Sequence, residues 1–316
     1  MKTNENSMAI IILCSHLCVG EDVKPLTSKE WSHLASLLVE NKMTPCELIN
    51  MESGELKKKL YFTDTQISRI ERLISRSASL TFELEKLFSI GIGIVTRADI
   101  EYPIMLKRVL GNGCPPLFYY AGDISLANRK LIGFVGSRSV KDEDMNFTKA
   151  MIKSVIKKGY GIVSGGAKGI DSIASESAIA MGGFAVEYIS DSLMKKIKKT
   201  SLVAAIRSGQ ILILSSVNPN AGFNVGNAMA RNKYIYANSV GTVIVKSDYN
   251  KGGTWSGALE NLNHNWTNEF CWNNLLYKGN IELIKRGAIP IDENWDVNLE
   301  VELRKNITNR QISLFD

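Results

Sequence analysis

Val163-Ser164-Gly165-Gly166-Ala167-Lys168-Gly169-Ile170-Asp171-Ser172 is the stretch that decides the fold of this chain. A short apolar run, Gly161–Val163, stops at a Ser-Gly-Gly turn, and an amphipathic segment, Asp171–Met181, begins directly after it. The order is strand, glycine turn, helix. The same unit recurs outward from Lys130, with apolar runs at Leu131–Val135, Phe184–Ile189, Ile211–Leu214, Val243–Val245 and Glu269–Trp272. Each gap between runs has room for a helix, as at Asp144–Lys157. Such alternation predicts an α/β fold, a doubly wound and mostly parallel sheet with helices on both faces. In sheets of this kind ligands bind beyond the carboxyl ends of the strands, so the turns that follow the strands are where chemistry is expected.

Upstream of this unit the pattern is helical. Trp31, Leu34, Leu37 and Leu38 form one stripe behind a capping box, Thr27-Ser28-Lys29-Glu30, and Leu73, Leu80, Leu84, Leu87 and Phe88 form later ones. We therefore expect a small helical N-terminal domain over residues 1–97. The Lys57-Lys58-Lys59 run reads as a solvated helix face. Residues 98–129 read as a connector with one short strand at Leu117-Phe118-Tyr119-Tyr120, residues 130–291 as the α/β domain, and residues 292–316 as a polar C-terminal tail. The apolar Ala9–Val19 follows Glu5, contains His16 and lacks a small-residue cleavage site, so it reads as the first element of a folded domain and not as an export leader.

Composition narrows the class. Across 316 residues, 45% are hydrophobic and 22% charged, as in an ordinary globular protein, and 38 basic against 32 acidic residues leave a net charge of +6. That surplus is informative only if it is focused. Cys14, Cys18, Cys46, Cys114 and Cys271 form no CxxC pair and leave one odd, which argues against a disulfide framework or a structural metal site and fits a reducing cytoplasm. No apolar run approaches the roughly 20 residues a membrane span requires.

Three strand-ending turns are rich in Gly, Ser or Thr and open a helix: Gly136-Ser137-Arg138, Ser164-Gly165-Gly166-Ala167-Lys168-Gly169, and Lys251-Gly252-Gly253-Thr254. Glycine lets a ligand approach the backbone, and the following helix points unpaired N–H groups and a positive dipole end at it. Arg138 and Lys168 would add cations to the same rim. After the fourth strand, Arg231-Asn232-Lys233 is expected near a helix start on the same edge and adds a further phosphate contact. Several separated anion sites suit a polymer of phosphates. The structural alternative is a set of tight turns and helix caps with exposed basic residues.

Enzymatic chemistry has less support. There is no GxxxxGK[ST] loop, and Ser164–Gly169 is not GxGxxG, although Glu187 lies near the distance of a ribose-binding acid. His16, His33 and His264 are isolated, and no HExxH or GxSxG occurs. Of the acids near the ligand edge, Asp171, Glu187, Asp248 and Glu260, the first reads as the cap of the helix it starts. No catalytic residue, metal or cofactor is expected.

Read in order, these residues resemble the DNA-processing protein A family, DprA or Smf. The matching pieces are Thr96-Arg97-Ala98-Asp99 with Tyr102-Pro103 and Leu106, Pro115-Pro116-Leu117, Val135-Gly136-Ser137-Arg138, and the Val163–Ser172 stretch. They continue through Arg231-Asn232-Lys233-Tyr234-Ile235, Gly252-Gly253-Thr254, Gly279-Asn280, Leu283-Ile284 and Gly287-Ala288. The resemblance spans roughly residues 90–290. It implies an extended Rossmann-like fold, non-enzymatic binding of single-stranded DNA, loading of the RecA recombinase, and a homodimer. It also implies DNA-backbone contacts by Arg138, Lys168, Arg231, Asn232 and Lys233, with the turn glycines allowing close approach. The helical N-terminal region is similar to the family's helical extension, and no winged-helix domain is expected.

Two departures mark a divergent branch. Ala228 stands where many members carry an aromatic that stacks a base, which leaves Phe223 as the candidate for stacking. Asp191–Lys199 reads as a basic helix in place of the family's Gly- and Tyr-Pro-containing segment. In the tail, Gln311-Ile312-Ser313-Leu314-Phe315 is similar to the peptide with which bacterial proteins dock on the DNA polymerase sliding clamp. There Leu314 and Phe315 would fill an apolar pocket and Gln311 would hydrogen-bond. The pathway is open among transformation, recombination and defence. The rival readings are a Rossmann-like nucleotide sensor in anti-phage defence and a phosphoribohydrolase-like nucleotide hydrolase, although Gly252-Gly253-Thr254 is not followed by the spacing of that enzyme's Gly-Gly-x-Gly-Thr-x-x-Glu motif.

Overall fold

The computed structural model describes residues 4–20 and 23–295, so the clamp-like Gln311–Phe315 peptide lies outside the described residues. Six helices come first: α1 (Glu5–Cys14), α2 (Ser28–Glu40), α3 (Pro45–Ile49), α4 (Ser53–Leu60), α5 (Asp64–Ser75) and α6 (Ser77–Ser89). Local chemistry starts several of them. Thr27 accepts from the Glu30 N–H while Glu30 reaches back to the Thr27 N–H, and the Thr63–Gln66 box repeats this at α5. Ala9–Val19 supplies most of α1, whose Ile10, Ile11 and Leu13 are fully buried.

The strands follow: β1 (Gly93–Thr96), β2 (Leu117–Gly122), β3 (Leu131–Val135), β4 (Gly161–Ser164), β5 (Ala185–Ile189), β6 (Ile211–Ser215), β7 (Gly241–Ile244), β8 (Glu269–Trp272) and β9 (Ile289–Ile291). They form one sheet in the order β1-β2-β6-β5-β4-β3-β7-β8-β9, parallel from β6 to β9, with β1 and β2 added antiparallel at one edge. Between them lie α7 (Ile104–Leu110), α8 (Asp142–Lys157), α9 (Ile170–Ala180), α10 (Leu193–Lys196), α11 (Thr200–Arg207), α12 (Val225–Ala237), α13 (Gly252–His264) and α14 (Lys278–Lys285). This is the mostly parallel, doubly wound α/β sheet with a helical N-terminal region that the alternation implies.

Strand period two sends neighbouring residues to opposite faces. Leu117, Tyr119 and Ala121 of β2 join a core with α1, α2, α5, α8 and α9, whereas Phe118 and Tyr120 join Tyr188 and the α12 and α13 side chains. The N-terminal helices thus share a continuous core with one sheet face. The Tyr102-Pro103 and Pro115-Pro116 pieces meet through a hydrogen bond from Tyr102 Oη to the Pro115 carbonyl, 2.7 Å.

Beyond the six strands that alternation shows and the connector strand at Leu117, two more occur. Gly93–Thr96 lies at the end of the span expected to be helical, and only pairing with Leu117–Tyr120 makes it a strand. Ile289–Ile291 holds Pro290, tolerated because β9 is the edge strand. The sheet accordingly reaches back to Gly93, beyond Lys130. Among the described residues, no helix is long and apolar enough to cross a membrane.

Candidate functional site

Strand order turns at β3. The chain runs β3-β4-β5-β6 to one side and then crosses back to place β7 on the other side of β3. A crevice opens where two neighbouring strands send their connections to opposite sides of a sheet. Here it is a cleft of about 480 Å³ at the carboxyl ends of β3 and β7.

Two walls come from expected turns and a third from a helix. Gly136, Ser137 and Arg138 continue β3, Lys251, Gly252, Gly253 and Thr254 form the lip and first turn of α13, and Arg231 and Asn232 look in from α12. The Asn232 amide donates to the Gly253 carbonyl at 3.1 Å and ties the last two walls together. Phe223 stands at the mouth, 57% exposed, with the Arg138 guanidinium 5.6 Å from its ring centroid. Ala228, the position without an aromatic, also lines the cleft.

Arg231 is not near a helix start. Asn224 caps α12, accepting from the Asn227 N–H, so Arg231 lies well inside the helix. Tyr234, one turn further on, anchors that face against Phe118 (5.4 Å) and Tyr188 (5.7 Å). Arg231 is only 7% exposed, and its Nε has no hydrogen-bond partner. Burial pulls its guanidinium below the usual range, opposed by Asp171 and Glu187, and at neutral pH it remains a cation. Asp171, also on the cleft wall, is pushed up to about 6 by burial, against the pull of Arg231. It does not cap α9, where Gly169 holds the N-cap position; its carboxylate accepts from the Ala167 N–H at 3.4 Å.

The second glycine turn lies behind the cleft except at Ala167, which lines it. Ser164 Oγ donates to the Phe134 carbonyl at 2.7 Å inside the sheet. A Cβ on Gly165 would lie 1.8 Å from Arg231 Nη1, one on Gly166 would meet the Glu187 carboxylate, and one on Gly169 the backbone of Ser137 and Arg138. These glycines make room for protein groups. Glu187 is buried in an ion pair with Lys196, 3.0 Å. Neither Glu187 nor Glu260 lines the cleft, whereas Asp248 does. Lys168 is exposed but outside the cleft, and Lys233 projects from another side of α12 into a separate depression beside α2.

One cation was missed by sequence reading. Lys246 lines the cleft, donating to the Ser139 carbonyl at 3.0 Å and pairing with the fully buried Asp144 at 3.2 Å. Asp144 is itself held by Tyr277 Oη and the Lys141 N–H. The available signal was position, since Lys246 comes directly after the fifth apolar run. Asn280 fixes this loop, accepting from the Ser247 N–H at 2.8 Å and donating to the Val245 and Trp272 carbonyls. Gly279 is required beside it, because a Cβ there would fall 2.1 Å from the Ser247 oxygen. The Gly279-Asn280 pair is thus a support for the cleft wall.

The result is a cleft with a buried arginine at its base and Arg138, Lys246 and Lys251 around it, suited to a phosphate-bearing ligand. Among the described residues no cluster of His, Cys, Asp and Glu could hold a metal ion.

Comparison with known proteins agrees with this architecture. The family model described as DNA recombination-mediator protein A matches residues 93–302. DNA processing protein DprA of Bacillus subtilis is 24% identical over 287 residues, covering 83% of this chain and 95% of its own length. Protein Smf of Synechocystis is 28% identical over 182 residues, 56% of this chain and 43% of its own length. Among solved structures, DprA from Streptococcus pneumoniae superposes with a TM-score of 0.68 at 19% identity, covering 92% of this chain and 95% of that one. DNA processing protein A from Helicobacter pylori, a structure described for its single-stranded DNA binding mode, gives 0.53 at 24% identity, covering 66% and 92%.

Proposed function

This chain belongs to the DNA recombination-mediator protein A family, and from that premise we propose that its cleft binds the backbone of single-stranded DNA without catalysis. The observation that carries the reading is Arg231: a buried guanidinium with an unpartnered Nε, facing a cleft whose walls bear Arg138, Lys246 and Lys251. A phosphate oxygen supplies the missing acceptor, and charge-assisted pairing offsets burial of the cation. Gly136, Ser137, Asn232, Gly252, Gly253 and Thr254 line the path of the strand, and Phe223 at the mouth presents a face on which a base stacks. The binding that the H. pylori structure describes for its own protein supports the same ligand class here.

Fluorescence anisotropy with single-stranded and duplex oligonucleotides over a salt titration tests this. We expect preference for the single strand, an affinity that falls steeply with salt, and weaker binding with a shallower salt slope in R138A. Equal affinity and slope in wild type and R138A would remove the cleft from the interface. Release of free base from nucleoside monophosphates would instead assign the cleft to hydrolysis.

In a cytoplasmic setting, the bound strand is passed to RecA by a homodimer, with the tail peptide Gln311–Phe315 docking on the sliding clamp. These three steps rest on the family resemblance and the tail sequence. Faster RecA filament nucleation on single strands, a dimer mass in solution, and calorimetric binding of the Arg310–Asp316 peptide to the clamp are the respective checks.

A further inference from the structure

The basic segment that departs from the family pattern turns one lysine inward. Lys195, Lys198 and Lys199 are exposed, whereas the Lys196 side chain is only 12% exposed and pairs at 3.0 Å with the buried Glu187 carboxylate of β5. Its Nζ also donates to the Gly166 carbonyl at 2.7 Å. Gly166 sits at φ +61°, and a Cβ on it would lie 2.5 Å from Glu187 Oε2 and 2.9 Å from Lys196 Nζ. The space beside its neighbour Gly165 is filled in the same way by Arg231 Nη1. Two successive glycines thus set a lysine–glutamate pair beside the guanidinium of the cleft. The other end of α10 is fixed independently, since Ser192 Oγ and the Met194 N–H both donate to the Pro219 carbonyl, at 2.9 and 3.0 Å. Pro219 belongs to the loop that carries Phe223.

The Asp171 and Glu187 carboxylates both draw on the Arg231 guanidinium. Glu187 Oε2 and Arg231 Nε are each buried without a hydrogen-bond partner. A buried carboxylate deprived of its lysine turns to the guanidinium, and an arginine held internally offers less to a phosphate. We propose that Lys196 is a positioning residue for the cleft: it neutralises Glu187 and anchors the Gly166 turn, so that the Arg231 guanidinium stays free for a DNA phosphate. Lys196 itself does not line the cleft and acts through these neighbours. This role rests on the cleft reading and adds to it the residue that keeps the buried donor available.

Anisotropy with a long oligothymidylate over a salt titration is run on the intact chain as wild type, R138A, K196Q, E187Q/K196Q and E176Q/K196Q. Thermal melts show which variants fold, and if K196Q does not, K196M takes its place in all three backgrounds. In K196Q we expect affinity to fall roughly tenfold and the salt slope to lose about one phosphate contact. E187Q/K196Q removes both charges of the buried pair, so it should fold and regain both affinity and slope. E176Q/K196Q has the same net charge, with the exposed Glu176 of α9 neutralised instead, and should stay as weak as K196Q. Wild-type affinity and slope in K196Q, no recovery in E187Q/K196Q, or equal recovery in both double variants overturns the role. A wild type that binds no single strand, or an R138A that binds as wild type does, fails the cleft reading instead.

Discussion

Gly165 and Arg231 occupy one volume between them: a Cβ on the glycine would lie 1.8 Å from Nη1 of the arginine and 2.5 Å from the Asp171 carboxylate. The Ser-Gly-Gly turn is therefore the socket in which the buried guanidinium sits. Replacing Gly165 with Ala should expel Arg231 and loosen α12, with a stability loss of about 1–3 kcal/mol and DNA affinity as weak as in R231A. Thermal melts and anisotropy on the same preparations check this, and a G165A protein that binds like wild type would separate the turn from the cleft.

Arg138 and Lys246 reach the cleft from the carboxyl ends of the neighbouring parallel strands β3 and β7, and no hydrogen bond joins their side chains among the described residues. Alanine at each should lower affinity alike for all sequences and reduce the salt slope by about one. The double variant should show the sum. A sequence-dependent loss would mean that one of them reads a base.

Phe223 is set against Arg138 at the cleft mouth. For F223A we expect single-strand affinity to fall by about 1–3 kcal/mol, the worth of one base stacked on an aromatic ring, while weak duplex binding stays unchanged. A loss shared equally by duplex would point to packing of the Asn218–Asn224 loop instead.

Asp171 carries the pH dependence of the cleft. Its carboxyl titrates near about 6 because burial outweighs the pull of Arg231, so lowering pH through that value removes one negative charge beside the phosphate path. Affinity for single strands should rise as pH falls from 7.5 to 5.5. D171N should bind at pH 7.5 as wild type does at 5.5 and show no such rise.

Glu269 governs a separate dependence, of stability. Burial lifts its carboxyl from 4.5 to about 8, with the Asn261 amide opposing. The folded state then binds the proton more tightly than the unfolded chain between those values. Stability contributed by this group is complete at low pH, declines as pH rises across that window and levels off above about 8. Each unit is worth about 1.4 kcal/mol, so urea melts from pH 6 to 8 should show a decline on the order of 1–3 kcal/mol that E269Q abolishes.

Seven of the nine strands were legible, six because a parallel strand covered by helices on both faces reads as an unbroken apolar run, and β2 from the apolar Leu117–Tyr120 of the connector. Leu131–Val135 and Glu269–Trp272 were bounded by such runs to the residue. Gly93–Thr96 and Ile289–Ile291 were not, being too short to show a period and strands only by virtue of their partners. The glycine turns were also legible, but not their division of labour. Gly252 and Gly253 line the cleft, whereas Gly165, Gly166 and Gly169 accommodate Arg231, Glu187 and the Arg138 backbone.

By itself the sequence determined the α/β alternation, the helical start, the edge of the sheet where the glycine-bearing turns gather and the family, because these depend on periodicity and on short local motifs. Tertiary structure decided which cations share a site. Lys168 and Lys233 stand in the same motifs as Gly165 and Arg231 yet face elsewhere, and Lys246 and Arg97 acquired their settings from residues 102 and 65 positions away. Direction on a helix and burial beneath a neighbour are set by packing, and packing is not written in any single turn.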